Sequence, residues 1–189
     1  MPVQKAKEKL KLQSNLDFKI MSLAFKIRDI FRPRIQVLKE AGIKTCAQVL
    51  DYGCGPGSYI APVIKLIGNI GMLYTLDINP LAIKSVQTLI SKKGISNVQV
   101  ILSNCNTGLT SASIDVVLLY DILHDLENRD TVLAELHRIL KPEGILSVSD
   151  HHLEEAKIIS DITCKGFFRL SVKGKRTCSF FKGEVKTQE

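Results

Sequence analysis

The 189-residue sequence has no tryptophan, no CxxC pair and no apolar run near the roughly 20 residues that a membrane-spanning helix requires. Its basic start, MPVQKAKEKLKLQSN, lacks the apolar stretch of a secretory signal. Cys46, Cys54, Cys105, Cys164 and Cys178 fall at no metal-ligand spacing, and an odd number of thiols is expected to stay reduced. No internal repeat or low-complexity linker divides the chain. These absences leave no disulfide framework and no membrane span in view. They predict a cytoplasmic protein of one domain, long enough for a substantial core.

Positive charge is present but uneven. The formal net charge is +7. Residues 1–45 hold 11 Lys/Arg against 4 Asp/Glu, and residues 165–189 hold 7 against 2, while the stretch between is acidic. Basic ends can attract nucleic acid or an acidic substrate. The basic residues are scattered and poorly interleaved with aromatics, so a solvated surface is favoured over a nucleic-acid interface.

Strand and helix signals alternate from about residue 46. AQVLDY, GMLYTLDI, NVQVILS, IDVVLLYD and ILSVSD read as strands. NPLAIKSVQTLISKKG reads as a helix with Asn79 as N-cap, Pro80 at the first helical position and Gly94 just past the end. PVIKLIG is expected to be the end of a helix, and NRDTVLAELHRILKPEG a helix that Pro142 stops. This alternation predicts a parallel sheet with helices on both faces. GFFRLSVKG and RTCSFFKG are expected to pair as antiparallel strands at its edge. The expected boundaries are a helical lid over 1–33, a ligand-binding core over 34–164 and edge strands over 165–189. The lid rests on Leu16, Ile20, Leu23, Ile27 and Ile30 at helical spacing, with Pro33 breaking the run.

VLDYGCGPGSY places Gly53, Gly55 and Gly57 directly after the first strand. A glycine-rich turn there lets the backbone approach a ligand without Cβ interference. The second strand ends at Asp77, where an acid in a dinucleotide fold takes ribose hydroxyls. Asp51, the loop, Asp77, Asn104, Tyr120, Asp121 and Asp150 should share one edge of the sheet, outside the strands' carboxyl ends.

The stretch Asp51-Tyr-Gly-Cys-Gly-Pro-Gly resembles motif I of the class I S-adenosylmethionine-dependent methyltransferases. The segment from Ile114 to Asp150 is similar to strands four to five of its small-molecule enzymes, with Arg138, Leu140, Lys141, Pro142 and Gly144 matching a common pattern and Glu143 departing from it. The resemblance implies a Rossmann-like, seven-stranded, mostly parallel α/β sheet with S-adenosylmethionine as cofactor. It makes Gly53, Gly55 and Gly57 the bed for the methionine end and Asp51 the anchor near its amino group. It gives Asp77 the ribose hydroxyls and Ile78 the adenine face. Ser103-Asn104-Cys105 stands where the family often has Gly-Asp-Ala, so Asn104 would accept from the adenine amino group without a charge and Cys105 would pack beside it. The backbone at Tyr120 and Asp121 would approach the methionine moiety.

Methyl transfer from a sulfonium needs alignment, exclusion of water and sometimes a base. His124, His151 and His152 lie just after strands four and five and are the candidate bases. Asp121, Asp150 and His151 could also hold a divalent cation, but a metal-free site is the expectation. The acceptor is expected to be a small molecule. The alternatives are an RNA or protein methyltransferase and a non-catalytic cofactor-binding module of the same fold.

Overall fold

The computed structural model describes residues 34–184. The helical lid expected over residues 1–33 lies outside them. A short helix α1 (Ile35–Leu38) precedes strand β1 (Gln48–Tyr52). Helix α2 (Ile60–Ile67), β2 (Met72–Asp77), α3 (Pro80–Lys93), β3 (Val98–Leu102) and β4 (Ile114–Tyr120) follow. A 3-10 turn (Leu123–Asp125) leads into α4 (Arg129–Ile139), β5 (Leu140–Ser149), α5 (Glu155–Thr163), β6 (Phe168–Lys173) and β7 (Cys178–Lys182).

The strands form one sheet in the order β3-β2-β1-β4-β5-β7-β6. The first five are parallel, and β7 inserts antiparallel between β5 and β6. This is the expected seven-stranded architecture with its antiparallel C-terminal edge. Alternation along the strands splits the core into two layers. Leu50, Val117, Leu119 and Leu146 face α4 and α5, where Leu133, Leu136, Ile158 and Ile162 meet them. Val49, Leu73, Val116 and Leu118 face the other way, against Leu38, Ile60, Val63 and Val86. Burial on both faces explains why these strands read as continuous apolar runs.

Helix α3 ends as its sequence indicates. The Asn79 side chain accepts from the N–H of Leu81 at 2.9 Å, and Gly94 takes the left-handed conformation at φ 61°. Helix α4 departs from expectation. It stops at Ile139, and Pro142 lies within β5 rather than ending the helix. Leu140 is already extended and pairs with Ile114, where the β4–β5 register shifts. Pro142 is tolerated at that irregularity because a displaced ladder needs no donor from it. Helix α5 has little signal in the sequence beyond Ile158 and Ile162, one turn apart.

Arg138 and Gly144, both in the family-like segment, have structural work. Arg138 donates to Glu135, to Ser111 Oγ and to the Leu109 carbonyl, tying the loop after β3 to α4. Its guanidinium holds the Glu135 carboxyl down to about 2. A Cβ on Gly144 would stand 3.1 Å from the Ile114 carbonyl oxygen.

Gly57 marks where the glycine loop meets the core. It sits at φ +90°, and a Cβ there would lie 2.8 Å from Ile60 Cδ1 and 3.3 Å from Val86 and Leu89. Gly57→Ala should cost about 1–3 kcal/mol through strained backbone and overpacking. Thermal unfolding should show this as a midpoint lowered by roughly 2–12 °C. An unchanged midpoint would mean that the loop relaxes freely away from α2 and α3.

Candidate active site

The strand order reverses between β1 and β4, so a crevice opens at their carboxyl ends. Asp51 lies near the end of β1, Asp77 ends β2, Tyr120 ends β4, and Asp150 follows β5. The sheet thus brings the expected carboxylates to one edge.

The glycine loop is shaped by Asp77. Gly53, Gly55 and Gly57 have φ of 76°, 50° and 90°, a region that glycine enters without Cβ strain. Gly55 N–H donates to Asp77 Oδ2 at 2.8 Å, and Asn79 N–H donates to Oδ1 at 2.8 Å. Burial raises the Asp77 carboxyl above its ordinary value, partly offset by these N–H donors. A Cβ on Gly53 would meet Ile122 Cγ1 at 2.9 Å. Gly53 and Gly57 therefore also satisfy internal packing.

Asp51 is 2% exposed, and among the described residues nothing hydrogen-bonds its Oδ2. Burial, then repulsion from Asp77, pushes its carboxyl up to about 7. Such an orphaned buried oxygen suits a cation. Ile78, 44% exposed, leaves an apolar surface just past Asp77. Asn104 is exposed, with its carbonyl accepting from Tyr52 Oη at 2.9 Å, and Cys105 packs against the core.

The ends of β4 and β5 are cross-laced. His124 Nδ1 lies 2.8 Å from Asp150 Oδ2, and His151 Nδ1 lies 2.8 Å from Asp121 Oδ1. Each histidine follows one strand and reaches the acid that follows the other. Asp121 has φ 55°, an uncommon conformation for a side-chain-bearing residue and one often found at functional sites. The His152 ring stacks between the other two, with centroids 4.2 Å from His124 and 3.9 Å from His151. Burial pushes the Asp150 carboxyl up, but hydrogen bonds from His124 and His152 outweigh it and leave it below its ordinary value.

Asp121, Asp150 and His151 bring three ligand atoms within 4.8 Å of one another. Both Asp150 oxygens are already engaged, Oδ1 by the His152 N–H and Oδ2 by His124. The cluster forms two acid–histidine pairs.

A cleft of about 530 Å³ opens beside these pairs. Asp121, Asp150 and His151 line it, whereas His124 and His152 do not. The β6–β7 turn and α5 form its far wall, and Tyr59, stacked on Tyr120 at 5.0 Å, lies on the loop side. The sequence pattern missed the turn's part in this wall, because nothing local says that residues 174–177 come to lie beside the end of β5.

Residues 43–181 match the family model described as a methyltransferase domain. The chain belongs to this methyltransferase family. A ubiquinone/menaquinone biosynthesis C-methyltransferase, UbiE, from Marinomonas sp. strain MWYL1 is 25% identical over 135 residues, 70% of this chain and 54% of the relative. A demethylmenaquinone methyltransferase from Geobacillus stearothermophilus is 26% identical over 126 residues, 66% of this chain and 54% of the relative. The chain thus spans about half the length of these curated relatives. The crystal structure of a SAM-dependent methyltransferase from Aquifex aeolicus shares the fold, with TM-score 0.70 and 24% identity over 83% of this chain and 96% of that one. Among the described residues, no helix is long and apolar enough to cross a membrane.

The residues of this methyltransferase domain fit S-adenosylmethionine. The orphaned Asp51 oxygen suits the cofactor's ammonium group, the Asp77 carboxylate its ribose hydroxyls, and Ile78 its adenine face.

Cofactor affinity should therefore depend on pH through Asp51. The folded-state value near 7 lies above that of an ordinary carboxylate, so below it the free protein holds a proton there that the unfolded chain does not. The stability of the free protein should fall as pH rises from about 4 to about 7 and then level off. Binding runs the other way, because a bound ammonium favours the carboxylate. Affinity for S-adenosylhomocysteine should rise by up to about tenfold per pH unit until pH 7, then flatten. Calorimetry in two buffers of different ionisation enthalpy counts the proton released. Asp51→Asn should abolish that release, and a pH-independent affinity in the unmodified protein would remove Asp51 from the site.

Proposed function

We propose that the protein transfers a methyl group from S-adenosylmethionine to a small molecule bound in the cleft beside His151. The Asp121–His151 pair carries this reading, because it lies at the carboxyl edge of the sheet and lines the cleft. Bound, the cofactor supplies a methyl group already activated for in-line displacement. Asp51, the glycine loop and Asp77 hold it, with Ile78 and Asn104 toward the adenine.

Asp121 accepts from His151 Nδ1–H, which selects the tautomer with a lone pair on Nε2. That nitrogen takes a proton from the acceptor as its nucleophilic atom reacts. If the acceptor is a phenol, losing the hydroxyl proton makes both the oxygen and the ring carbons nucleophilic. The same pair then serves transfer to oxygen or to carbon, consistent with the C-methyltransferase named among the relatives. Asp150, buried, pairs with His124 beside it. The cleft volume of about 530 Å³ supports a small acceptor.

The test is transfer of label from methyl-labelled S-adenosylmethionine into a whole-cell extract, followed by separation of small molecules, RNA and protein and isolation of the labelled product. A labelled small molecule that appears with the protein and not with the His151→Ala variant supports the reading. Label confined to RNA or protein would overturn the small-molecule assignment.

A further inference from the structure

The cations lining the cleft stand in two places, Arg34 held against Tyr59 and two more on the β6–β7 turn. The cleft's acids are already engaged: Asp121 by His151, Asp150 by His124, and Glu155 by Lys173 at 2.8 Å. The β6–β7 turn contributes Lys175 and Arg176, both exposed and both lining the cleft. Among the described residues no carboxylate forms an ion pair with either side chain.

The turn carrying these cations is held in place. Glu40 Oε2 accepts from the N–H groups of Arg176 at 3.0 Å and Thr177 at 3.1 Å. Gly174 N–H closes the turn on the Thr177 carbonyl at 2.8 Å. A Cβ on Gly174 would overlap the Glu40 carboxylate, so the glycine is what lets Glu40 reach the turn. Backbone groups make these bonds, which leaves the Lys175 and Arg176 side chains uncommitted.

Sheet order sets the reach. β5 separates β4 from β7, so the end of β4, where Asp121 sits, lies two strand spacings from the start of β7. That is roughly 10 Å. Between the two ends the lining is partly apolar, with Val148, Leu153, Ile158 and Cys178.

We propose that the acceptor carries an anionic group, a carboxylate or a phosphate ester, which docks on Lys175 and Arg176 while its nucleophilic end faces His151. A molecule of this class has an apolar middle about the length of a benzene ring and two carbons. The proposal rests on the acceptor-cleft reading above and names the substrate class of that cleft.

The test is a titration of the full chain, saturated with S-adenosylhomocysteine, with three matched phenols. They are 3-(4-hydroxyphenyl)propanoate, 2-(4-hydroxyphenyl)ethyl phosphate and the neutral 3-(4-hydroxyphenyl)propanamide, with dissociation constants read by NMR at low salt and in 0.5 M salt. At least one anion should bind tenfold or more tighter than the amide at low salt, with the advantage shrinking in high salt. The tighter anion identifies the headgroup. In the Lys175→Gln/Arg176→Gln variant the advantage should vanish, while thermal midpoint and S-adenosylhomocysteine affinity stay unchanged. Equal binding of amide and anions, no binding of any probe, or a preference that survives the double substitution would overturn the proposal. No methyl transfer enters this measurement. Failure to bind S-adenosylhomocysteine would count against the methyltransferase reading alone, and the anion comparison would still be read.

Discussion

Asp77→Ala should weaken S-adenosylhomocysteine binding by about 10²- to 10⁴-fold while the protein stays folded. Two ribose hydroxyls donating to one carboxylate make charge-assisted bonds, each worth about 1.5–3 kcal/mol, and about 1.4 kcal/mol is a factor of ten. In this chain the loss has a second source. Asp77 also accepts from Gly55 N–H and Asn79 N–H, so its carboxylate shapes the glycine loop as well as the ribose subsite. Asp77→Asn retains one carbonyl oxygen and should fall between the two. Calorimetry measures the affinities, and circular dichroism checks that β2 and α3 remain. An unchanged affinity in Asp77→Ala would take the ribose away from this residue and leave Asp77 as a loop brace.

His151→Ala should lower kcat by about 10²- to 10⁴-fold, the range expected for a lost general base, once an acceptor is in hand. Cofactor affinity should stay within about twofold, because His151 faces the acceptor side of the cleft. Asp121→Asn should lower kcat less, because Nε2 survives and only its orientation and tautomer are disturbed. His124→Ala makes the contrast. It strips a partner from the buried Asp150, whose side chain is 0% exposed. Among the described residues Oδ2 then keeps only the backbone N–H of residue 124, and losing a hydrogen bond to a charged group costs about 1.5–3 kcal/mol, so that variant should melt earlier with its kcat less affected than that of His151→Ala. If His124→Ala abolishes turnover and His151→Ala does not, the roles are exchanged.

These predictions separate two histidines that the sequence offers as candidate bases, each just after a strand. Both follow apolar strands, and both have an aspartate nearby in sequence. The structure distinguishes them by crossing the partners. His124 turns to the buried acid after β5, and His151 reaches back to the acid after β4. Spacing along one strand cannot express a contact between two strand ends that are 30 residues apart.

Much of the architecture was legible because it is written in local patterns. Continuous apolar runs marked the parallel strands, and Asn79, Pro80 and Gly94 marked the limits of α3. The glycines after β1 and the acid ending β2 announced a ligand edge, and the resemblance they carry agrees with the family match over residues 43–181. Helix α5 was not legible, because its buried residues Ile158, Asp161 and Ile162 include an acid whose partner Arg129 lies in α4. Pro142 misled for a related reason, since the β4–β5 irregularity that accommodates it depends on strand pairing.

The sequence by itself determined the strand–helix alternation from β1 to β5, the parallel core and the edge where a nucleoside cofactor belongs, because periodicity, capping and turn chemistry act over a few residues. Only the tertiary structure decided which acid braces which histidine, that Asp51 is buried with no donor among the described residues, and that Glu40 holds the β6–β7 turn beside the cleft. Burial and hydrogen-bond partners are properties of the packed whole. Glu40 and Arg176 are 136 residues apart, and only the order of strands in the sheet brings them together.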